Sequence, residues 1–243
     1  MSLKPVRQVG NVAIYDLLGS GDTERIEKML RLYAKLFPQY QHYVPRMRRR
    51  SQFGNEHREG HIVHYWLIEV DGQPAALRTF RYVRGRRCGL AHALAVDPAF
   101  REVMVTDRRL AVYVIYECLN QVIQDAKEKG DLPVYGMVNE VEPHRLMEHY
   151  KHNGLVQLPL KYVEPIFPPE VEGSSRSEEL ANTRFSPMHI GFLPNPEAKV
   201  KEYTCEMISD FVKAFLVDHY GLPEEHTAVL EVLDTINRQD EII

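Results

Sequence analysis

The sequence predicts an α/β (α+β) fold: a mixed, mostly antiparallel central sheet flanked by helices, with a C-terminal helical extension. Three observations predict it. Apolar residues recur with a period of 3.6 at 26–37, 110–123 and 200–215. Between the first two of these lie three β-rich runs joined by tight-turn signals. After the second, short strand-like and helix-like runs alternate.

Val12 to Leu18 reads as a first strand ending at Gly19-Ser-Gly21. Asp22 is placed to cap a helix whose face is Ile26, Met29, Leu30, Tyr33, Leu36 and Phe37. Pro38 and Pro45 bracket a break, and a short basic helix or loop follows through Arg46-Met-Arg-Arg-Arg50. Ile62 to Val70 is rich in β-branched and aromatic residues. Asp71-Gly72 turns the chain into a partner strand at Pro74–Val83, and Arg84-Gly85 turns it again into Gly89–Val96. A helix is expected from about Thr106 to Lys129, stopped by Gly130. A strand at Pro133–Val138 comes next, then a helix opened by Pro143 and closed by Gly154. Leu155–Ile166 is extended, with prolines that suit an edge or a bulge. A polar connection, 169–184, leads to a strand at Phe185–Leu193. An amphipathic helix carrying Val200, Tyr203, Met207, Ile208, Phe211 and Phe215 follows, then a short helix at about Glu224–Asn237.

Composition narrows the function classes. With 243 residues, 44% hydrophobic, the chain is long enough to bury a core without covalent staples. Three scattered cysteines (Cys88, Cys118, Cys205) show no metal-ligand spacing and fit a reducing compartment, so a cytoplasmic location is expected. No apolar run approaches a bilayer span, and a net charge of −4 argues against general nucleic-acid binding. His61 and His64, three apart on a strand, point to opposite faces, and His144, His149 and His152 lack an acidic or thiolate ligand. No metal site is expected.

The most informative stretch is Cys88-Gly-Leu-Ala-His-Ala-Leu-Ala-Val-Asp-Pro-Ala-Phe-Arg101 and the long helical pattern after it. A strand entering a helix start builds an anion site, because the first turn of amides has no intrahelical partner. This segment resembles the cofactor-binding centre of the GNAT superfamily of N-acyltransferases. The order strand, two helices, three antiparallel strands, helix, strand, helix, strand is similar to the family's over roughly 10–167. The resemblance implies a GNAT-like core at 1–168, with 185–243 as a strand and helical extension. It implies an acetyl-CoA or other acyl-CoA donor and a direct ternary-complex transfer to a primary amine. The acceptor would be a small molecule or a peptide. A donor held on an acyl-carrier protein, a non-catalytic binding or regulatory module, and a homodimer stay open.

The resemblance also implies site residues. The family's loop reads Arg/Gln-x-x-Gly-x-Gly/Ala, and here Arg101-Glu-Val-Met104-Val-Thr106 stands in its place. Met104 and Thr106 replace both small positions and narrow the cradle, and Glu102 adds a repelling charge. Thr106 and Asp107 suit a helix start, and Arg101, Arg108 and Arg109 offer charge to a diphosphate. Peptide groups of Leu94 and Val96 would meet the pantetheine arm, as would Asn139. His92 is the implied base, without the second histidine that a branch of the family carries where Leu90 stands. Tyr150, in a segment similar to the family's Phe-Tyr-x-x-x-Gly-Phe, is the implied acid. Read bottom-up, His92 is equally a hydrogen-bonded strand histidine and Tyr150 equally a packing aromatic. Arg46, Arg48, Arg49 and Arg50, with Arg78, Arg81 and Arg84, are either a solvated basic face or a reception for an acidic acceptor or carrier.

Overall fold

A computed structural model of the chain describes residues 3–54, 60–142, 144–168, 176–200 and 202–237. They fall into two compact units, Met1–Tyr82 with Ala91–Gln121, and Val83–Leu90 with Val122–Ile243. Both are mixed α/β, with mainly antiparallel strands flanked by helices, as the sequence predicts.

The first unit begins with a hairpin that the sequence reading omits, β1 (Arg7–Val9) against β2 (Val12–Asp16), with Arg7 opposite Ile14. β2 continues antiparallel onto β3 (His61–Val70), with Val12 opposite Val70. β3 is followed by β4 (Gln73–Val83) and β5 (Cys88–Val96), each strand hydrogen-bonded to the next. Asp71 and Gly72 both take positive φ, which the two-residue turn from β3 to β4 demands. Helix α1 (Thr23–Leu36) starts where Asp22 accepts from the Arg25 amide at 3.1 Å. The basic run forms helix α2 (Val44–Phe53), and its Arg48 grips Glu27 of α1 through two bonds of 2.8 and 3.0 Å. The core joins Ile26, Met29, Leu30 and Tyr33 of α1 to Leu67 of β3, Leu77 of β4 and Ala95 of β5.

Helix α3 (Leu110–Glu128) starts four residues after the expected Thr106. Before it, β6 (Met104–Val105) and β7 (Arg108–Arg109) close a miniature hairpin, with Met104 opposite Arg109 and Val105 opposite Arg108. Thr106 sits at φ 56° in its turn. A residue in that left-handed conformation cannot open a right-handed helix, so the helix waits until the hairpin is complete.

The second unit takes Cys88–Leu90 of β5 and sets β8 (Gly136–Val141) beside it. β8 begins three residues later than expected, after Tyr135 donates to the Arg87 carbonyl at 2.7 Å. β11 (Arg184–Pro194) is antiparallel to β8, with Gly191 opposite Asn139. It also pairs with β9 (Val156–Gln157) and β10 (Tyr162–Ile166). The strand expected to open the C-terminal extension is therefore hydrogen-bonded on both sides. Between them α4 (His144–Lys151) follows β8, while Pro143 lies outside the described residues. Of the polar connection, 169–175 lie outside the described residues and Arg176–Ala181 form α5.

The amphipathic C-terminal helix α6 (Cys205–Lys213) starts at the Thr204 cap, five residues after Val200, and runs on through π-helical turns at Ala214–His219. With α7 (Thr227–Asn237) it covers a core of Val138, Ile190, Phe192, Phe211 and Phe215. A Cβ at Gly136 would run into the Leu193 carbonyl oxygen and reach the Phe192 ring at 2.8 Å. Gly136→Ala is expected to lose about 3 kcal/mol by overpacking, read as a lower midpoint in urea unfolding.

Candidate active site

The segment from His92 to Leu110 lies in the first unit. Asp97, at the end of β5, accepts from the Ala99 amide at 3.1 Å and from Lys35 of α1 at 2.6 Å. Its own amide donates to the Ala75 carbonyl at 2.8 Å. Those bonds fix where the chain leaves the sheet. Arg101 reaches back to the Val96 carbonyl only at 3.5 Å, a weak contact that leaves the guanidinium at the surface.

The hairpin changes the reading of the loop. Thr106, Asp107 and Arg108 were expected in a helix's first turn; they form the turn and a strand of β6–β7 instead. The Thr106 hydroxyl donates to the Val105 carbonyl at 2.6 Å and lies 3.0 Å from Asp107 Oδ1, so it is engaged locally. The Asp107 carboxyl is held below its usual range, first by that hydroxyl. Arg108 lies over the Tyr116 ring at 3.9 Å, a cation–π contact. Arg109 pairs with Glu102 at 2.9 Å, so the charge expected to repel phosphates has its own counterion. Met104 is 56% exposed, and the Leu110 amide donates to the Val103 carbonyl at 2.9 Å. No glycine turn leads the chain into α3.

His92, Leu94 and Val96 follow one another on β5, all half-buried. Both ring nitrogens of His92 are buried. Burial pushes its pKa well below the usual histidine value, and the positive charges of Arg81, Arg78, Arg50 and His61 push the same way. The imidazole is therefore neutral at physiological pH. Arg78 and Arg81, which the sequence left open between a solvated basic face and a reception for an acidic acceptor or carrier, are 3% and 6% exposed. Arg81 Nη1 lies 3.3 Å from His61 Nδ1. Arg78 bonds the Cys118 thiol, which burial nonetheless pushes up to about 12. His64, weighed in the sequence only as a metal ligand, holds Asp16 at 2.6 Å through Nδ1 and stacks on Phe80. Asp16 in turn accepts from the Tyr65 and Leu18 amides at 3.2 and 3.3 Å.

Asn139 and Tyr150 belong to the second unit. Asn139 is buried, and its amide reaches the Met137 and Gly191 carbonyls at 3.4 and 3.5 Å, both long for hydrogen bonds. Tyr150 is 8% exposed near the end of α4, and Gly154 at φ 89° closes the turn that follows. The Tyr150 carbonyl accepts from Asn153 and Leu155 at 2.9 and 3.2 Å.

This unit also holds a buried acid network that the sequence did not reveal. Glu140 accepts from Tyr162 at 2.5 Å and from Tyr220 at 2.7 Å, and Tyr220 lies 3.2 Å from Glu164. Burial, then the neighbouring Glu164, pushes Glu140 up to about 8. Arg86 is held by Asp210 at 2.7 Å and Asp218 at 3.0 Å. Among the described residues no group of three His, Cys, Asp or Glu side chains is placed to hold a metal, and no helix is long and apolar enough to cross a membrane.

No protein-family model and no curated protein matches the chain. Solved structures similar to it include a putative GNAT-family acetyltransferase from Desulfovibrio desulfuricans, at 11% identity and a TM-score of 0.44, covering 74% of this chain and 96% of that one. The likeness is to acetyltransferases. An N-acetyltransferase of Thermoplasma acidophilum in complex with coenzyme A aligns at 11% identity and a TM-score of 0.42, covering 75% and 98%. A Salmonella typhimurium enzyme that modifies the N-terminal serine of a ribosomal protein aligns at 11% and 0.45, covering 80% and 98%. With TM-scores below 0.5, any activity has to be argued from this chain's own residues.

Proposed function

We propose that the protein is a GNAT-type acyltransferase, acting in the cytoplasm, that moves an acetyl or other acyl group from an acyl-CoA to a primary amine. The observation that carries the reading is the place of His92, its ring nitrogens buried, on β5, the strand that leads through Asp97 and the β6–β7 hairpin into α3. The amine nitrogen attacks the thioester carbonyl, the C–N bond forms and the C–S bond breaks. His92, directly or through water, takes the proton leaving the amine, and the departing thiolate takes one from solvent. Leu94 and Val96 offer peptide groups to the pantetheine. Arg101 and Arg108 supply charge to the diphosphate beside the Thr106-Asp107 turn. The acceptor is a small-molecule or peptide amine.

Titration with acetyl-CoA by calorimetry, with coenzyme A as control, tests the donor. Micromolar binding of both is expected; absence of heat sinks the coenzyme A reading and leaves a carrier-protein donor or a binding module. Replacing Met104 and Thr106 together by glycine separates those outcomes. A glycine in place of Thr106 accepts the positive φ there without strain. In an acyltransferase the double variant is expected to gain donor affinity and turnover together, whereas in a binding module only stability changes.

A further inference from the structure

In the second unit Glu140 of β8 stands opposite Ile190 of β11, and Tyr162 and Glu164 of β10 stand opposite Met188 and Ser186. Opposed residues share a face, and Ser186, Met188 and Ile190 alternate along β11, so the two acids and the phenol lie on one face of the sheet. Its core holds Tyr162, Ile190, Phe211 and Phe215. Tyr220, just past the π-helical turns, meets that face from above. Its hydroxyl lies 2.7 Å from Glu140 Oε2 and 3.2 Å from Glu164 Oε1, while Tyr162 donates to Glu140 Oε1. A phenol has one proton to give and a carboxylate has none. Tyr220 can therefore donate to only one of the two carboxyls. The second contact becomes a hydrogen bond only when a carboxyl proton points at the Tyr220 oxygen. The geometry itself requires one proton shared among Glu140, Tyr220 and Glu164. The β11 side chains on this face carry no charge; the other titratable neighbours are Glu142, whose charge acts on Glu164, and His219, whose ring lies 4.5 Å from that of Tyr220.

We propose that this shared proton is a latch: while it is held, Tyr220 pins the turn at 219–222 to β8 and β10, and when it leaves, that turn alone opens. Ion pairs anchor the chain on either side of the turn. Asp218 is held by Arg86 at 3.0 Å, and Glu224 by Lys213 at 3.0 Å. Between these anchors the amides of Tyr220, Gly221 and Leu222 donate to the carbonyls of Phe215, Val217 and Leu216, each at 2.9 Å. These bonds close the end of the π-helical segment, and they are the ones that opening breaks. Burial raises both carboxyls, and Glu140, with Glu164 as the next cause, reaches about 8, so the latch releases in the alkaline direction. Without the proton, two carboxylates share one hydroxyl in a buried place, and swinging Tyr220 out relieves them. The latch lies wholly in the second unit and needs nothing of the acyltransferase reading.

The test is amide hydrogen exchange on the full chain at pH 7 and 9, a range above that of an ordinary histidine, read as protection factors with and without low urea. Protection of the Tyr220, Gly221 and Leu222 amides is expected to fall at least about tenfold at pH 9. Their exchange there should not depend on low urea, as a local opening requires, while the β8–β11 ladder amides keep the urea dependence of global unfolding. Glu140→Gln, which keeps an amide hydrogen where the shared proton stood, is expected to hold the three amides at their pH 7 protection. Tyr220→Phe, lacking the hydroxyl, is expected to lose at least about tenfold already at pH 7. Three amides as protected at pH 9 as at pH 7 overturn the proposal. So does exchange at pH 9 with the urea dependence of the β8–β11 ladder, since the lost proton would then weaken the fold as a whole. A folded Glu140→Gln that still loses protection at pH 9 overturns it as well.

Discussion

Glu140→Gln is expected to unfold at higher urea than the native chain at pH 9, and to lose most of the native pH dependence between 4.5 and 8. Glu140 is buried in the second unit between Tyr162 and Tyr220, with Glu164 behind Tyr220. Its pKa rises from the usual 4.5 to about 8, burial first and Glu164 second, while the two tyrosine hydroxyls work in the opposite direction. Between those values the folded chain holds a proton that the unfolded chain has released. Stability therefore falls as pH rises through the window, by about 1.4 kcal/mol per unit for one group and at most about 5 kcal/mol in all. It is fully present below 4.5 and fully lost above about 8. Glutamine copies the protonated acid: its oxygen accepts from Tyr162 and its amide donates to Tyr220. The cost of ionising a buried acid disappears with the acid. Urea midpoints at pH 5, 7 and 9 decide it, and a Glu140→Gln profile as steep as the native one overturns it.

Much of the scaffold was legible because its signals are local. The period of Ile26, Met29, Leu30 and Tyr33 and the Asp22 cap fix α1, and Asp71-Gly72 fixes the turn from β3 to β4. What was not legible depends on pairing or on burial. Arg7–Val9 is only three residues long, and it is a strand because β2 lies beside it. The stretch before Leu110 reads as helix because Thr106 and Asp107 are favoured caps, yet the pairing of Met104–Val105 with Arg108–Arg109 holds it extended. β11 is recruited by β8, some fifty residues away, which no local pattern announces.

The candidate site divides in the same way. His92 and Tyr150 were singled out through their segments; the His92 ring nitrogens and the Tyr150 side chain are buried. Arg81 was left open between a solvated basic face and a reception for an acidic acceptor or carrier, although its alternation with Leu77 put it on a face that helices cover. Glu140 stands in a run, Asn-Glu-Val-Glu, whose polarity reads as a strand end. Its role comes from Tyr162 and Tyr220, tens of residues downstream.

His92→Ala is expected to lower kcat/KM for acyl transfer by about 10²–10⁴-fold with donor binding unchanged, as loss of a general base does. The pH profile is the sharper measurement. Burial and the charges of Arg81, Arg78, Arg50 and His61 hold the native imidazole well below 6.5, so it stays neutral through the range where an ordinary histidine would protonate. The free-enzyme acid limb of kcat/KM should then lie below 6.5. The same group has a stability signature opposite in sign to that of Glu140. As pH falls below 6.5 the unfolded chain takes up a proton that folded His92 refuses, and stability declines toward acid. His92→Ala removes that acid-side slope together with activity, whereas Glu140→Gln removes the alkaline-side slope and leaves activity in place. A His92→Ala variant that keeps full turnover would reduce His92 to a strand histidine and return the search for the base to the His64–Asp16 pair.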